Sequence, residues 1–205
     1  MRKIYSLAFV LGLAFATAGK TLPSRIDFSV REEPDRIRVQ WSGPVAAPMS
    51  ERLGEVFRKY EDDPRSILLV LNSPGGSVAH GREVVHRIHQ ASRTRQIDTR
   101  VEAGHMCASM CVPIYLVGAE RSAHPSAKFM FHEVSFMGRA PDIDRQMLKQ
   151  VLDHATSQLF DDDMGPRSVD AKWLEKMRQQ IRGRDVWLTG RQLVDQGSGV
   201  VDRLN

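Results

Sequence analysis

The eleven residues from Ile67 to Ser77 constrain the fold of this chain more than any other stretch. Ile67-Leu68-Leu69-Val70-Leu71 is a continuous apolar run, the pattern of a strand buried on both faces. It passes directly into Asn72-Ser73-Pro74-Gly75-Gly76-Ser77, after which Val78, Val84, Val85 and Ile88 mark an amphipathic helix. Strand, glycine turn and helix in immediate succession form one unit of a layered α/β domain with a mostly parallel sheet. A second unit repeats the order, with Ile97 to Val101 as strand, Gly104 to Ser109 as turn and Met110 to Val117 as a short buried helix.

The remaining segments fit around these two units. Ile26 to Val30 and Ile37 to Trp41 read as strands separated by the turn cluster Glu32-Glu33-Pro34-Asp35. Met49 to Tyr60 has Leu53, Val56 and Phe57 on one helical face, and Ala127 to Phe131 reads as a strand ending at His132. From Asp142 to Phe160, the residues Ile143, Met147, Leu148, Val151, Leu152 and Ala155 recur at helical spacing. Asp161-Asp162-Asp163-Met164-Gly165-Pro166 separates this helix from a second one, Val169 to Ile181, and together they read as an arm rather than a new domain. Val186 to Leu188, a short helix capped by Thr189 and a last strand Gly199-Val200-Val201-Asp202 close the chain.

At 205 residues, with 41% hydrophobic and 26% charged, the chain carries enough apolar material for one core and too little for two. These fractions exclude disordered, collagen-like and coiled-coil classes. Arg2 and Lys3 precede an apolar run from Ile4 to Ala16 that closes on Ala16-Thr17-Ala18, the small-x-small pattern of a signal peptidase site. The run's 13 residues fall short of the ~20 needed to span a bilayer. The expectation is therefore a cleaved segment 1–18, a single domain over 19–205, a periplasmic or secreted location and no stable membrane span after cleavage. Removing Arg2 and Lys3 lowers the formal charge of +4 by two, which leaves little electrostatic basis for binding nucleic acid.

The candidates for chemistry are Ser109, His132 and an acid. Ser109 lies between a glycine-containing turn and an apolar helix, where backbone N–H groups at a helix start can stabilise a developing oxyanion. The logic is that of a nucleophile elbow without the Gly-x-Ser-x-Gly sequence. Alone, Ser109 reads first as a helix cap and His132 as a hydrogen-bonded strand-end histidine, and Gly75-Gly76 can be a plain tight turn. Gly75-Gly76 also lacks the lysine of a P-loop and the third glycine of a dinucleotide fingerprint.

Their joint arrangement resembles the proteolytic subunit of Clp protease and its relatives among the signal peptide peptidase A proteins. These are serine peptidases on the crotonase-like fold. The resemblance spans about residues 36 to 203. Leu71-Asn72-Ser73-Pro74-Gly75-Gly76 is similar to that family's oxyanion-hole loop, and Gly104 to Met110, ending Ala108-Ser109-Met110, is similar to its nucleophile segment. Gly118-Ala119-Glu120-Arg121 and Pro125 through His132 resemble the stretch bearing its histidine. Arg184-Asp185-Val186-Trp187-Leu188-Thr189 resembles the segment with its third triad member.

The resemblance implies a layered α/β fold of repeated β-β-α units with a helical arm. It implies a Ser109, His132 and Asp185 triad, with the N–H groups of Gly75 and Met110 as the oxyanion hole, acting without cofactor on peptides or unfolded protein. Glu133, Asp142 and Asp144 compete with Asp185 for the third role. The nucleophile loop is one residue longer than the family's, and the turn Gln196-Gly197-Ser198-Gly199 is longer as well. The segment that docks the Clp ATPase is replaced by the export signal, and no Walker motif occurs, so the expectation is an ATP-independent peptidase with no ATPase partner. The apolar stripe of the arm implies a homo-oligomer.

Cys107 and Cys111 bracket Ser109. In an oxidising compartment two cysteines point to a disulfide, and two buried free thiols acting as small apolar residues are the equal alternative. His86 and His89 are three apart on a helix near His80, but no third ligand follows at metal spacing, so a solvated face and no metal are expected. Two other functions use the same landmarks: a non-catalytic relative that binds peptide or a partner, and an acyl-CoA enzyme of the same fold. Intact Ser109, His132 and Asp185 argue against the first, and the export signal argues against the second.

Overall fold

A computed structural model describes residues 25–136, 144–165 and 169–205. The expected cleaved segment 1–18 lies outside these residues, as do Asp142 and Ile143. A six-stranded sheet runs in the order β1 (Asp27–Glu32), β2 (Arg36–Ser42), β3 (Ser66–Asn72), β4 (Ile97–Val101), β6 (Arg121–Ala123), β9 (Arg203–Leu204). β1 pairs antiparallel with β2, and every further pair in this sheet is parallel. A smaller sheet joins β5 (Met106–Ala108), β7 (Lys128–Phe131) and β8 (Val186–Thr189), with β5 parallel and β8 antiparallel to β7. This is the layered, mostly parallel α/β architecture that the sequence implied.

Hydrophobic patterning accounts for the layers. In β2, Ile37, Val39 and Trp41 are buried while Arg36, Arg38, Gln40 and Ser42 stay half-buried, the alternation of a strand with one wet face. In β3 all five residues from Ile67 to Leu71 are buried, as a continuous run in the middle of a parallel sheet requires. Helices α1 (Met49–Lys59) and α2 (Val78–Ala91) pack side by side and supply Leu53, Val84, Val85 and Ile88 to the core. The six-residue helix α3 (Cys111–Leu116) is buried at every position. Among the described residues no helix is long and apolar enough to cross a membrane.

Three sequence expectations need correction. The segment Gly104 to Ser109 is not all turn, because Met106–Ala108 pairs in parallel with Lys128–Met130 and becomes β5. The last strand is Arg203–Leu204 rather than 199–202, since those residues align with Ser122 and Ala123 while Gly199 turns the chain at φ +70°. The aspartate run after α4 (Arg145–Gln158) does not end the helix. Leu159–Met164 continues it as a π-helix, with Leu159, Phe160 and Met164 buried on one side and Asp161 and Asp162 exposed on the other. Helix α5 (Ala171–Gln180) completes the arm, and α6 (Gly190–Asp195) begins in a capping box between Thr189 and Gln192.

Candidate functional site

β5 and α3 meet at Ser109 with only Met110 between the serine and the helix. Ser109 has φ +53°, the only positive φ of a non-glycine among the described residues. A left-handed backbone costs a residue with a Cβ about 1–3 kcal/mol, so the surroundings must hold it. They do so from both sides: Ser109 N donates to Met130 O at 2.9 Å, and Val112 N donates to Ser109 O at 2.9 Å. The sharp reversal points Ser109 Oγ at His132 Nε2, 2.7 Å away.

The glycine turn is sewn to the same strand. Ser73 N donates to Met106 O and Ala108 N donates to Ser73 O, at 2.8 and 3.0 Å. Asn72 extends the stitch, donating from Nδ2 to Ser42 Oγ and accepting from Met106 N on Oδ1. Gly75 sits at φ +90°, and a Cβ there would lie 2.6 Å from Ser109 Cβ and 2.7 Å from Ala108 O. Only glycine lets the turn touch Ser109. Its N–H donates to Ser73 Oγ at 3.2 Å, a long bond. Between turn and serine opens a cavity of about 350 Å³, walled mainly by carbon from Pro74, Met110, Met130, Val134 and Leu159.

His132 stands at the end of β7. Its Nδ1 is 3.9 Å from Asp185 Oδ1, beyond hydrogen-bond range, and the Asp185 side chain is 57% exposed. Of the rival acids, the two among the described residues are engaged elsewhere. Glu133 accepts the Gly183 N–H at 2.9 Å, and Asp144 caps α4 by accepting from Gln146 N and Met147 N. The structure therefore gathers Ser109, His132, Gly75 and Met110 around one cavity and leaves Asp185 outside its lining, beside His132. On α3, burial pushes the Tyr115 hydroxyl well above its ordinary range, against the pull of Arg121, so it stays neutral.

Several contributors escaped the sequence reading. Gly81 on α2 gives way to Met110, whose Cγ would lie 2.2 Å from a Cβ at that position. Arg82 Nε and Nη2 donate to Asp163 Oδ2 at 3.1 and 3.0 Å, tying the helix behind the glycine turn to the π-helix that brings Leu159 to the cavity. Val134 N donates to Thr156 Oγ1 at 2.8 Å and anchors the segment after His132 to α4. Gly81 carried a signal, since glycine inside a helix often marks a close approach. The other contacts join residues 22 and 81 positions apart and leave no local trace.

Cys107 and Cys111 are joined by a disulfide across Ser109 (S–S 2.08 Å, Cα–Cα 5.2 Å). Of the helix histidines, His86 is exposed while His80 and His89 are half-buried, and the described residues contain no group of three or more metal-ligating side chains.

A family model described as Clp protease matches residues 40–204. The chain is also 29% identical over 188 residues to a protein of Chlamydia pneumoniae named ATP-dependent Clp protease proteolytic subunit 1, covering 83% of this chain and 88% of that one.

Proposed function

The chain belongs to the Clp protease family, and on that premise we propose that it is an exported serine endopeptidase working without ATP. The observation that carries the reading is the 2.7 Å contact between Ser109 Oγ and His132 Nε2 at the mouth of an apolar cavity bordered by Gly75. In the tautomer with its proton on Nδ1, His132 accepts the Ser109 hydroxyl proton as Oγ attacks a peptide carbonyl. The tetrahedral oxyanion takes N–H donors from Gly75 and Met110. A charged oxygen competes well for the Gly75 N–H, whose bond to Ser73 Oγ is long and neutral. His132 then returns the proton to the leaving amine, and water repeats the cycle on the acyl-enzyme. Asp185 steadies the charged imidazole once its carboxylate closes on Nδ1. The carbon-lined cavity favours an apolar side chain beside the scissile bond.

Export rests on the segment 1–18, and independence from ATP rests on that export, which takes the chain away from an ATPase partner and from ATP. Self-association rests on α4, where Met147 and Val151 are each 56% exposed. The purified mature chain is expected to react with a fluorophosphonate at Ser109, and Ser109→Ala to abolish the reaction. Equal labelling of both proteins overturns the assignment. Analytical ultracentrifugation is expected to show an oligomer that Val151→Glu dissociates, and a fully active monomer at micromolar concentration would refute the assembly.

A further inference from the structure

The disulfide beside Ser109 is placed where it does little for overall stability and much for local geometry. A cross-link stabilises a fold chiefly through the loop it closes in the unfolded chain, and short loops gain least. This one closes only four residues of separation, from β5 to the first residue of α3, with Ser109 at the centre. The elements on either side are a three-residue strand and a six-residue helix, so the two backbone hydrogen bonds that hold Ser109 hang on short elements. Ser109 is also the residue in the left-handed region. Both cysteines are fully buried, and they are the only two in the chain.

We propose that the Cys107–Cys111 disulfide is a positioning device that holds Ser109 in its left-handed conformation, and so sets the intrinsic reactivity of the nucleophile. The inference rests on the reading of Ser109 as nucleophile. With the bridge absent, the backbone at Ser109 relaxes toward right-handed or extended geometry, and Oγ leaves the line to His132 Nε2. A displacement on the ångström scale at a reacting group lowers rates by about 10²-fold. The bond forms as the chain folds, when both thiols are reachable. Two thiols become one disulfide, and their two electrons and two protons pass to a disulfide-form oxidant such as oxidised glutathione, which leaves as two thiols. Because the sulfurs are then sealed in the core, the bridge is set once and is not a reversible switch. A chain folded in a reducing compartment would remain a poor nucleophile.

The test is fluorophosphonate labelling of the oxidised mature chain and of the Cys107→Ala/Cys111→Ala variant, followed to saturation. The expected result is a limiting labelling rate constant at least about tenfold lower in the variant, with close to one label per chain in both. A merely stabilising bridge would instead reduce the labelled fraction at an unchanged rate constant, and that result overturns the proposal. Equal rate constants and equal fractions overturn it too. Should the variant not fold, the wild-type chain refolded with a phosphine reductant is compared with the same chain refolded in a glutathione redox mixture. Failure of the reduced chain to fold assigns the bridge to stability and overturns the proposal. An oxidised wild-type chain that does not label at all overturns the reading of Ser109 itself, a result distinct from the others.

Discussion

The two sides of His132 are built differently. Toward Ser109 everything is fastened: the glycine turn is bonded to β5, β5 to β7, and Cys107, Ala108, Met110 and Cys111 are almost completely buried. Toward Asp185 the chain is open to solvent, with the carboxylate 3.9 Å from Nδ1 and the neighbouring Arg184 and Gly183 exposed. The contrast separates a serine–histidine contact held against a glycine turn from a carboxylate left 3.9 Å short of Nδ1. A surface ion pair in water contributes little.

The sharpest break of this contrast is Ser109→Ala, which should lower peptidase activity by about 10⁴-fold or more while leaving the thermal midpoint within a few degrees. Loss of only tenfold would show that the fastened side is not where the chemistry occurs. Next comes Gly75→Ala. Its Cβ would press on Ser109 Cβ and Ala108 O from a strained φ, so activity should fall about 10²- to 10³-fold through a lower kcat, with circular dichroism reporting whether the turn still folds.

Asp185→Asn probes the open side. At 3.9 Å and in solvent the carboxylate should matter about tenfold in a dissociated chain, compared with the 10⁴-fold loss known for a fully engaged triad aspartate. Measuring the substitution in both the assembled and the Val151→Glu background sharpens the comparison. A cost that is equally large in both would mean that Asp185 closes on His132 without any neighbour. The smallest effect is expected from Asp163→Asn, which weakens the bond from Arg82 to a carboxylate only 12% exposed. Leu159 would then shift at the cavity wall, raising KM a few-fold for substrates with a bulky apolar side chain while kcat holds. An unchanged KM would mean that the π-helix keeps its place without that bond.

Much of the fastened side was legible in the sequence because its signals are local. Five apolar residues followed by Asn72-Ser73-Pro74-Gly75-Gly76 can hardly be other than a buried strand running into a tight turn, and Ser109 before the apolar run from Met110 marks the second one. β5 was missed because three residues of Met-Cys-Ala carry no periodicity, and they become a strand only when Lys128–Met130 lies alongside. The π-helix was missed because Asp161-Asp162-Asp163 looks like a solvated break, whereas Phe160 and Met164 on the same turn are drawn into the core.

The sequence by itself determined the two strand–turn–helix units and the residue types available for chemistry, since backbone preference and apolar spacing act over a few residues. Only the tertiary structure decided which acid faces His132, that Glu133 is spent on Gly183, and that Gly75 lies against Ser109 Cβ. Those are meetings between residues tens of positions apart, fixed by strand pairing and side-chain packing in three dimensions. No periodicity along the chain encodes them, because the energy that selects each partner exists only once the layers have closed.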